Sequence, residues 1–190
     1  MAEIQEIPLD AVEAPEATPE MVAEYDVSLK IAMLMMVAIE ALKSSYAPVF
    51  ARHAGDPIAL KKHIKKSTRV GVVFSFLILV CLITLGKFIL GVFGPEFIAS
   101  YPLVIIISLG YFFSAIFGQA DNVIEMCGLA KYYVKPYFVV ILISLILGIL
   151  LSFKFGSIGM AIGFSIGNVL FQATAYMITY KRLGIKTRVF

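Results

Sequence analysis

Side chains suited to covalent or metal chemistry are scarce in this chain. Its 190 residues include two cysteines and two histidines. Cys81 sits inside an apolar stretch and Cys127 beside a basic gap. They have neither metal-ligand spacing nor the density of a disulfide framework, so both read as small packing residues. His53 and His63 lie in one polar stretch with no HExxH-type pattern and read as solvated or facing lipid headgroups. A Ser-His-Asp set and a glycine-rich phosphate loop are also missing. An enzyme, and an ATPase in particular, has no constellation here to work with, and no metal or cofactor is expected.

Charge is scarce too. Charged residues make up 15% of the chain and hydrophobic ones 60%, whereas soluble domains average about 25% charged. A soluble chain of this length cannot hide so much apolar surface, so lipid must cover much of it. The basic residues are spread between apolar stretches and form no single patch with aromatics, which argues against nucleic-acid binding. Residues 1–26 hold eight of the thirteen acidic residues and no Lys or Arg. Residues 1–24 are rich in Pro and Glu without aromatics, the composition of a disordered acidic tail. They lack the basic start and apolar core of a signal peptide.

What remains is a series of long apolar stretches. The expected architecture is an all-α polytopic membrane helix bundle of about five transmembrane helices, near 25–50, 70–93, 102–127, 136–153 and 157–180. Residues 186–190 form a basic tail. Asp56 and Pro57 read as the N-cap and first position of a basic helix, with Leu60 and Ile64 on one face and lysines on the other, suited to the membrane interface. Lys and Arg gather in every second gap: Arg52 to Arg69, then Lys131 and Lys135, then Lys181, Arg182, Lys186 and Arg188. Gly94 to Tyr101 has none, and Phe153 to Ile158 has only Lys154. Cytoplasmic loops carry the excess of Lys and Arg, so the N-terminus is expected outside and the C-terminus inside a cell membrane.

Several polar residues lie within these spans. Glu40 falls about midway along the first, where a charge costs at least ~2.5 kcal/mol, and Lys43 three residues on is spaced to pair with it. The pair reads either as a self-neutralising aid to insertion or as a cavity lining that meets protons, ions or a pyrophosphate headgroup. Ser114, Gly118, Asp121 and Glu125 share one face of the third span at helical spacing. Ser165, Asn168 and Gln172 form a polar stripe on the fifth. Gly159, Gly163 and Gly167 repeat every four residues there, which permits close approach of another helix backbone.

Three blocks resemble a known family: AEYDVSLKIAML with APVFARHAGDPIALKKHIKKSTR; FGPEFIASYPLVIIISLGYFFSAIFG with NVIEMCGLAKYYVKPYF; and FKFGSIGMAIGFSIGNVLFQATAYMITYKRLGI. Together, over about Tyr25 to Ile185, they are similar to the C-terminal lobe of polysaccharide and oligosaccharide flippases of the multidrug/oligosaccharidyl-lipid/polysaccharide exporter superfamily. The resemblance implies an incomplete six-helix lobe and alternating-access transport of a lipid-linked oligosaccharide for polysaccharide biosynthesis. It also implies a partner that supplies the missing helices, or a second copy of the chain. Glu40, Lys43, Asp121, Glu125 and Asn168 are then the substrate or cavity candidates. Two other readings stay open. One is a drug or cation antiporter of the same superfamily, using Glu40 and Asp121. The other is a non-transporting membrane scaffold.

Topology is the first test. A reporter fused after Phe190 should be cytoplasmic, and a cysteine placed at Glu13 should label from outside; labelling of both termini from the cytoplasm would show that the first segment does not span.

Overall fold

The computed structural model describes residues 19–188. They form an all-α bundle with five α-helices and a short 3-10 helix in the order α1 (Pro19–Arg52), α2 (Pro57–Phe93), the 3-10 helix (Pro95–Ser100), α3 (Tyr101–Ile116), α4 (Ala120–Met126) and α5 (Ala130–Leu183). The acidic tail at 1–18 and the last two residues lie outside the described residues. Residues 19–24, grouped with that tail by composition, are the first turns of α1 instead. Pro19 suits the first helical position because its missing N–H would have no partner there.

Residues 57–93 also differ from expectation. The basic segment and the second span form one uninterrupted helix, because Gly71 lowers helix propensity without breaking a helix. Asp56 caps it, its Oδ1 accepting from the Ile58 and Ala59 amides at 3.0 and 3.1 Å. At 1.5 Å per residue the helix is about 55 Å long, nearly twice the ~30 Å hydrocarbon thickness of a bilayer. The basic turns therefore continue along the axis of the apolar ones.

The third span is not one helix. It divides at Phe117–Gln119, where Gly118 adopts φ +78°, a conformation open to glycine at low cost. A Cβ at Gly118 would also meet the Thr68 hydroxyl and the Thr187 carbonyl. The polar face expected to run from Ser114 to Glu125 is interrupted there, so Ser114 and Asp121 belong to separate helices.

In α5, Gly156 (φ +56°, ψ −136°) reverses the chain. The arms 130–155 and 157–183 pack against each other as an antiparallel hairpin. Gly159, Gly163 and Gly167 face the first arm, and a Cβ on them would strike Leu151, Gly148 and Ser144 respectively. Ser144 Oγ donates to the Gly163 carbonyl at 3.2 Å. Small residues let the two backbones approach, and van der Waals packing, the main attraction between helices in lipid, follows.

α3 lies at the centre. Leu103, Ile107 and Tyr111 pack with Ala32 and Met35 of α1, Leu79 of α2 and Ala161 of the hairpin. Gly110 lets Ser165 approach, and Ser165 Oγ donates to the Ile106 carbonyl at 2.9 Å. Large apolar side chains cover the outside: Phe88 and Val92 are each 74% exposed and Phe138 66%. Exposed apolar side chains in such number mark a surface that meets a membrane or another protein. By length and composition three helical stretches can cross a membrane: Pro57–Phe93, Pro95–Ile116 and Ala130–Leu183. α1 is not among those three; its longest uncharged apolar run, Ile31–Ile39, lies between Lys30 and Glu40. The bundle is compatible with a membrane protein in which α1 is the most polar member.

Gly163→Ala should lower the unfolding midpoint in detergent by the equivalent of about 1–3 kcal/mol, the cost of overpacking. Ile143→Leu, on the exposed side of the first arm, should leave it unchanged. Equal midpoints would remove the glycine face from the hairpin interior.

Candidate functional site: a polar cleft between α1 and α4

The break before α4 brings polar side chains together. Asp121 and Asn122 occupy the first turn of α4, and α1 presents Glu40, Lys43 and Ser44 to them. Lys43 Nζ donates to Asp121 Oδ2 at 2.6 Å and to Glu40 Oε1 at 2.8 Å. The two acids are not equivalent. The Asp121 side chain is 12% exposed and that of Glu40 51%, while Lys43 is 16% exposed. The Lys43–Asp121 bond is thus the sheltered, structure-forming contact, and Glu40 is an outer ligand of the same amine. Asn122 Nδ2 donates to the Lys43 main-chain carbonyl at 2.9 Å and joins α4 to the backbone of α1.

These residues border a cleft of about 290 Å³ that also reaches Ala47, Glu125 and Met126. Three carboxylates face one amine in it. Glu125 is exposed and has no ion-pair partner among the described residues. Asp121 Oδ1 and Gln119 Nε2 are buried without a hydrogen-bond partner. Leaving a buried polar atom unpaired costs about 1–3 kcal/mol, so a proton or a donor such as water would be stabilised at Asp121 Oδ1, and an acceptor at Gln119 Nε2 outside the cleft lining.

The cleft sits towards one end of the bundle. Lys43 is nine residues before Arg52, about 14 Å along the helix. The adjoining Ala120 and Ile124 pack with Leu129, Tyr133, Ala175 and Tyr176, beside Lys131, Lys181 and Arg182. Glu40 and Lys43 are therefore displaced from the middle of the span towards the basic end. α1 extends six residues further at its N-terminus than the expected span, which moves the helix midpoint away from them.

Other singled-out residues lie elsewhere. Asn168 donates to the Phe164 carbonyl at 3.3 Å and lines a separate cavity of about 410 Å³ between the hairpin and Tyr25 of α1. That cavity is mostly apolar and has no part of the charged cleft. Ser114 Oγ returns to the Tyr111 carbonyl. The His53 and His63 rings lie 4.8 Å apart, tilted by 34°, and both residues are half-buried near the α1–α2 turn. Cys81 is exposed on α2, and Cys127 ends α4.

Sequence reasoning missed Gln119 and Asn122 as members of this site, and Thr187 as a buried residue. The run Gly118-Gln119-Ala120-Asp121-Asn122 carried a signal, since Gly, Asp and Asn are turn formers. No family model, curated protein or solved structure matches this chain.

Removing one member of a sheltered ion pair costs about 3–5 kcal/mol, because the remaining charge is stranded. Lys43→Met should therefore destabilise the bundle by about 3 kcal/mol in chemical unfolding. Glu40→Gln should cost under about 1 kcal/mol, as exposed pairs do. Equal losses would make Glu40, not Asp121, the principal partner.

Proposed function

We propose that this chain is part of one lobe of a membrane transporter resembling the oligosaccharide flippases, with its basic end in the cytoplasm and its α1 N-terminus outside. The single observation that carries this reading is the cleft of Glu40, Lys43, Asp121 and Glu125 in an otherwise apolar bundle. Ionisable residues among membrane-crossing helices usually face a cavity or pathway. The order of the FGPEF, Asn122–Gly128, FGSIGMAI and KRLGI segments supports the same family.

In this reading the cleft lies at the cytoplasmic headgroup level, where a lipid-linked sugar would first meet the protein. Lys43 offers a positive charge to a diphosphate, provided that the diphosphate displaces Asp121. A second reading, a cation or proton antiporter, draws on a specific feature: carboxylates outnumber amines three to one, and one oxygen of Asp121 has no partner. The two make opposite demands on Lys43. A diphosphate needs its charge, whereas a cation competes with it.

Reconstitution separates them. The chain alone in liposomes should not translocate a fluorescent lipid-linked oligosaccharide. Co-reconstituted with a complementary transporter lobe it should. Lys43→Ala should then slow flipping by about tenfold or more, the factor for ~1.4 kcal/mol, with Ser152→Ala as a neutral control. Translocation by the chain alone would discard the partial-lobe reading. Faster sodium- or proton-driven exchange in Lys43→Ala, without sugar flipping, would favour the antiporter.

A further inference from the structure

The basic end holds a second feature that the cleft does not use. All of the sixteen Lys and Arg residues except Lys30, Lys43, Lys87 and Lys154 belong to it. Among the described residues the ion pairs involve only Lys30 and Lys43, so none of their carboxylates lies within salt-bridge distance of the cations of the basic end. The C-terminal segment is drawn into this like-charged surface. Gly184 ends α5 in the left-handed conformation, and Ile185 is buried with Phe50, Leu60, Ile64 and Val123. Thr187 is fully buried and bridges two elements: its hydroxyl donates to the Phe117 carbonyl and its carbonyl accepts from Thr68 Oγ1, both at 2.8 Å. The bond to Thr68 brings exposed Lys186 and Arg188 to the part of α2 that carries exposed Lys65 and Arg69. Arg188 lies over the Tyr176 ring at 5.6 Å. Cations crowded in this way repel one another, and an anion among them relieves the repulsion.

The surface of α2 indicates which anion. Lys62, Lys65, Arg69, Val73, Phe76 and Val80 follow one another at three- and four-residue spacing, which is one straight stripe on a helix. All six are exposed, Val73 by 59% and Phe76 by 52%. The stripe changes from cationic to apolar within one turn, at Arg69–Val73. A free phosphate would use only its upper part. A phospholipid matches both parts, with its phosphate at Lys65 and Arg69 and its acyl chain along Val73 and Phe76.

We propose that α2 and the docked C-terminal segment form a binding site for an anionic phospholipid, with the headgroup phosphate held by Lys65, Arg69 and Lys186. Basic clusters that adjoin a membrane span bind acidic lipids electrostatically, and this one is completed by residues more than a hundred positions apart in the chain.

The test uses the full chain in nanodiscs of phosphatidylcholine alone and of phosphatidylcholine with about 30% phosphatidylglycerol, a content at which leaflet charge attracts basic segments. Anionic lipid should raise the thermal midpoint by several degrees, and high salt should erase the gain. Lys65→Gln, Arg69→Gln and Lys186→Gln combined should remove most of it without lowering the midpoint in neutral discs. The combination Lys30→Gln, Lys87→Gln and Lys154→Gln should retain it. Thr187→Val, which keeps every charge, should reduce it in part. Equal midpoints of the wild type in the two lipids would overturn the proposal. So would full replacement of the lipid effect by inorganic phosphate, or an equal loss from the Lys30, Lys87 and Lys154 combination.

Discussion

A backbone group that loses its helical partner in the interior of a bundle must find another, because burying it unpaired costs about 1–3 kcal/mol. The break at Phe117–Gln119 imposes that requirement, and much of the basic end is arranged to meet it. Thr187 supplies a hydroxyl to the Phe117 carbonyl, and Thr179 ties α5 to the first turn of α4 through the Ala120 carbonyl at 3.3 Å. Thr68 fixes the Thr187 backbone in turn. With those bonds in place α4 can restart at Ala120 and aim Asp121 and Asn122 at α1. Without the break, Asp121 would continue the α3 spiral and would not occupy its present place beside Lys43. The docked C-terminus, the polar cleft and the merged cationic surface are therefore three results of one interrupted helix.

The opposite half of the bundle is held by different means. The hairpin has few polar contacts and depends on closeness: Gly163 against Gly148, Gly159 against Leu151, Gly110 against Ser165. Its outer arm presents Phe138, Leu142 and Leu150 to the surroundings. Packing by small residues works without a hydrophobic drive between helices, so this half can be assembled in lipid where an ordinary leucine-rich interface would gain little. The bundle thus combines a polar, hydrogen-bonded basic end with an apolar, shape-determined body.

Short-range features were legible in the sequence, and contacts between distant segments were not. The Asp56 cap, the glycine spacing of the second arm and the Glu40–Lys43 pair all lie within four residues or one repeat. Helical geometry alone relates such positions. The Lys43–Asp121 bond spans seventy-eight residues and the Thr68–Thr187 bond a hundred and nineteen. Neither separation leaves a periodic trace. Composition also misplaced two boundaries. Residues 19–24 read as part of an acidic tail and are helical, and 57–69 read as a separate surface helix and are continuous with α2. In both cases a change of polarity was taken for a change of structure, and a helix can carry both polarities along one axis. Residues 186–190 read as a basic tail because of Lys186 and Arg188, yet the neutral Ile185 and Thr187 are buried and anchor the segment as far as Arg188.

The position of Thr187 has a consequence for how the chain is made. Translation proceeds from the N-terminus, so α1 to α4 are synthesised before the residue that completes their hydrogen bonding exists. Until then the Phe117 carbonyl must be satisfied by water or by transient partners, and the third span remains in a provisional state. Closure of the basic end therefore waits until Thr187 has been synthesised. The order in which the segments are made thus sets the order in which their hydrogen bonds can close.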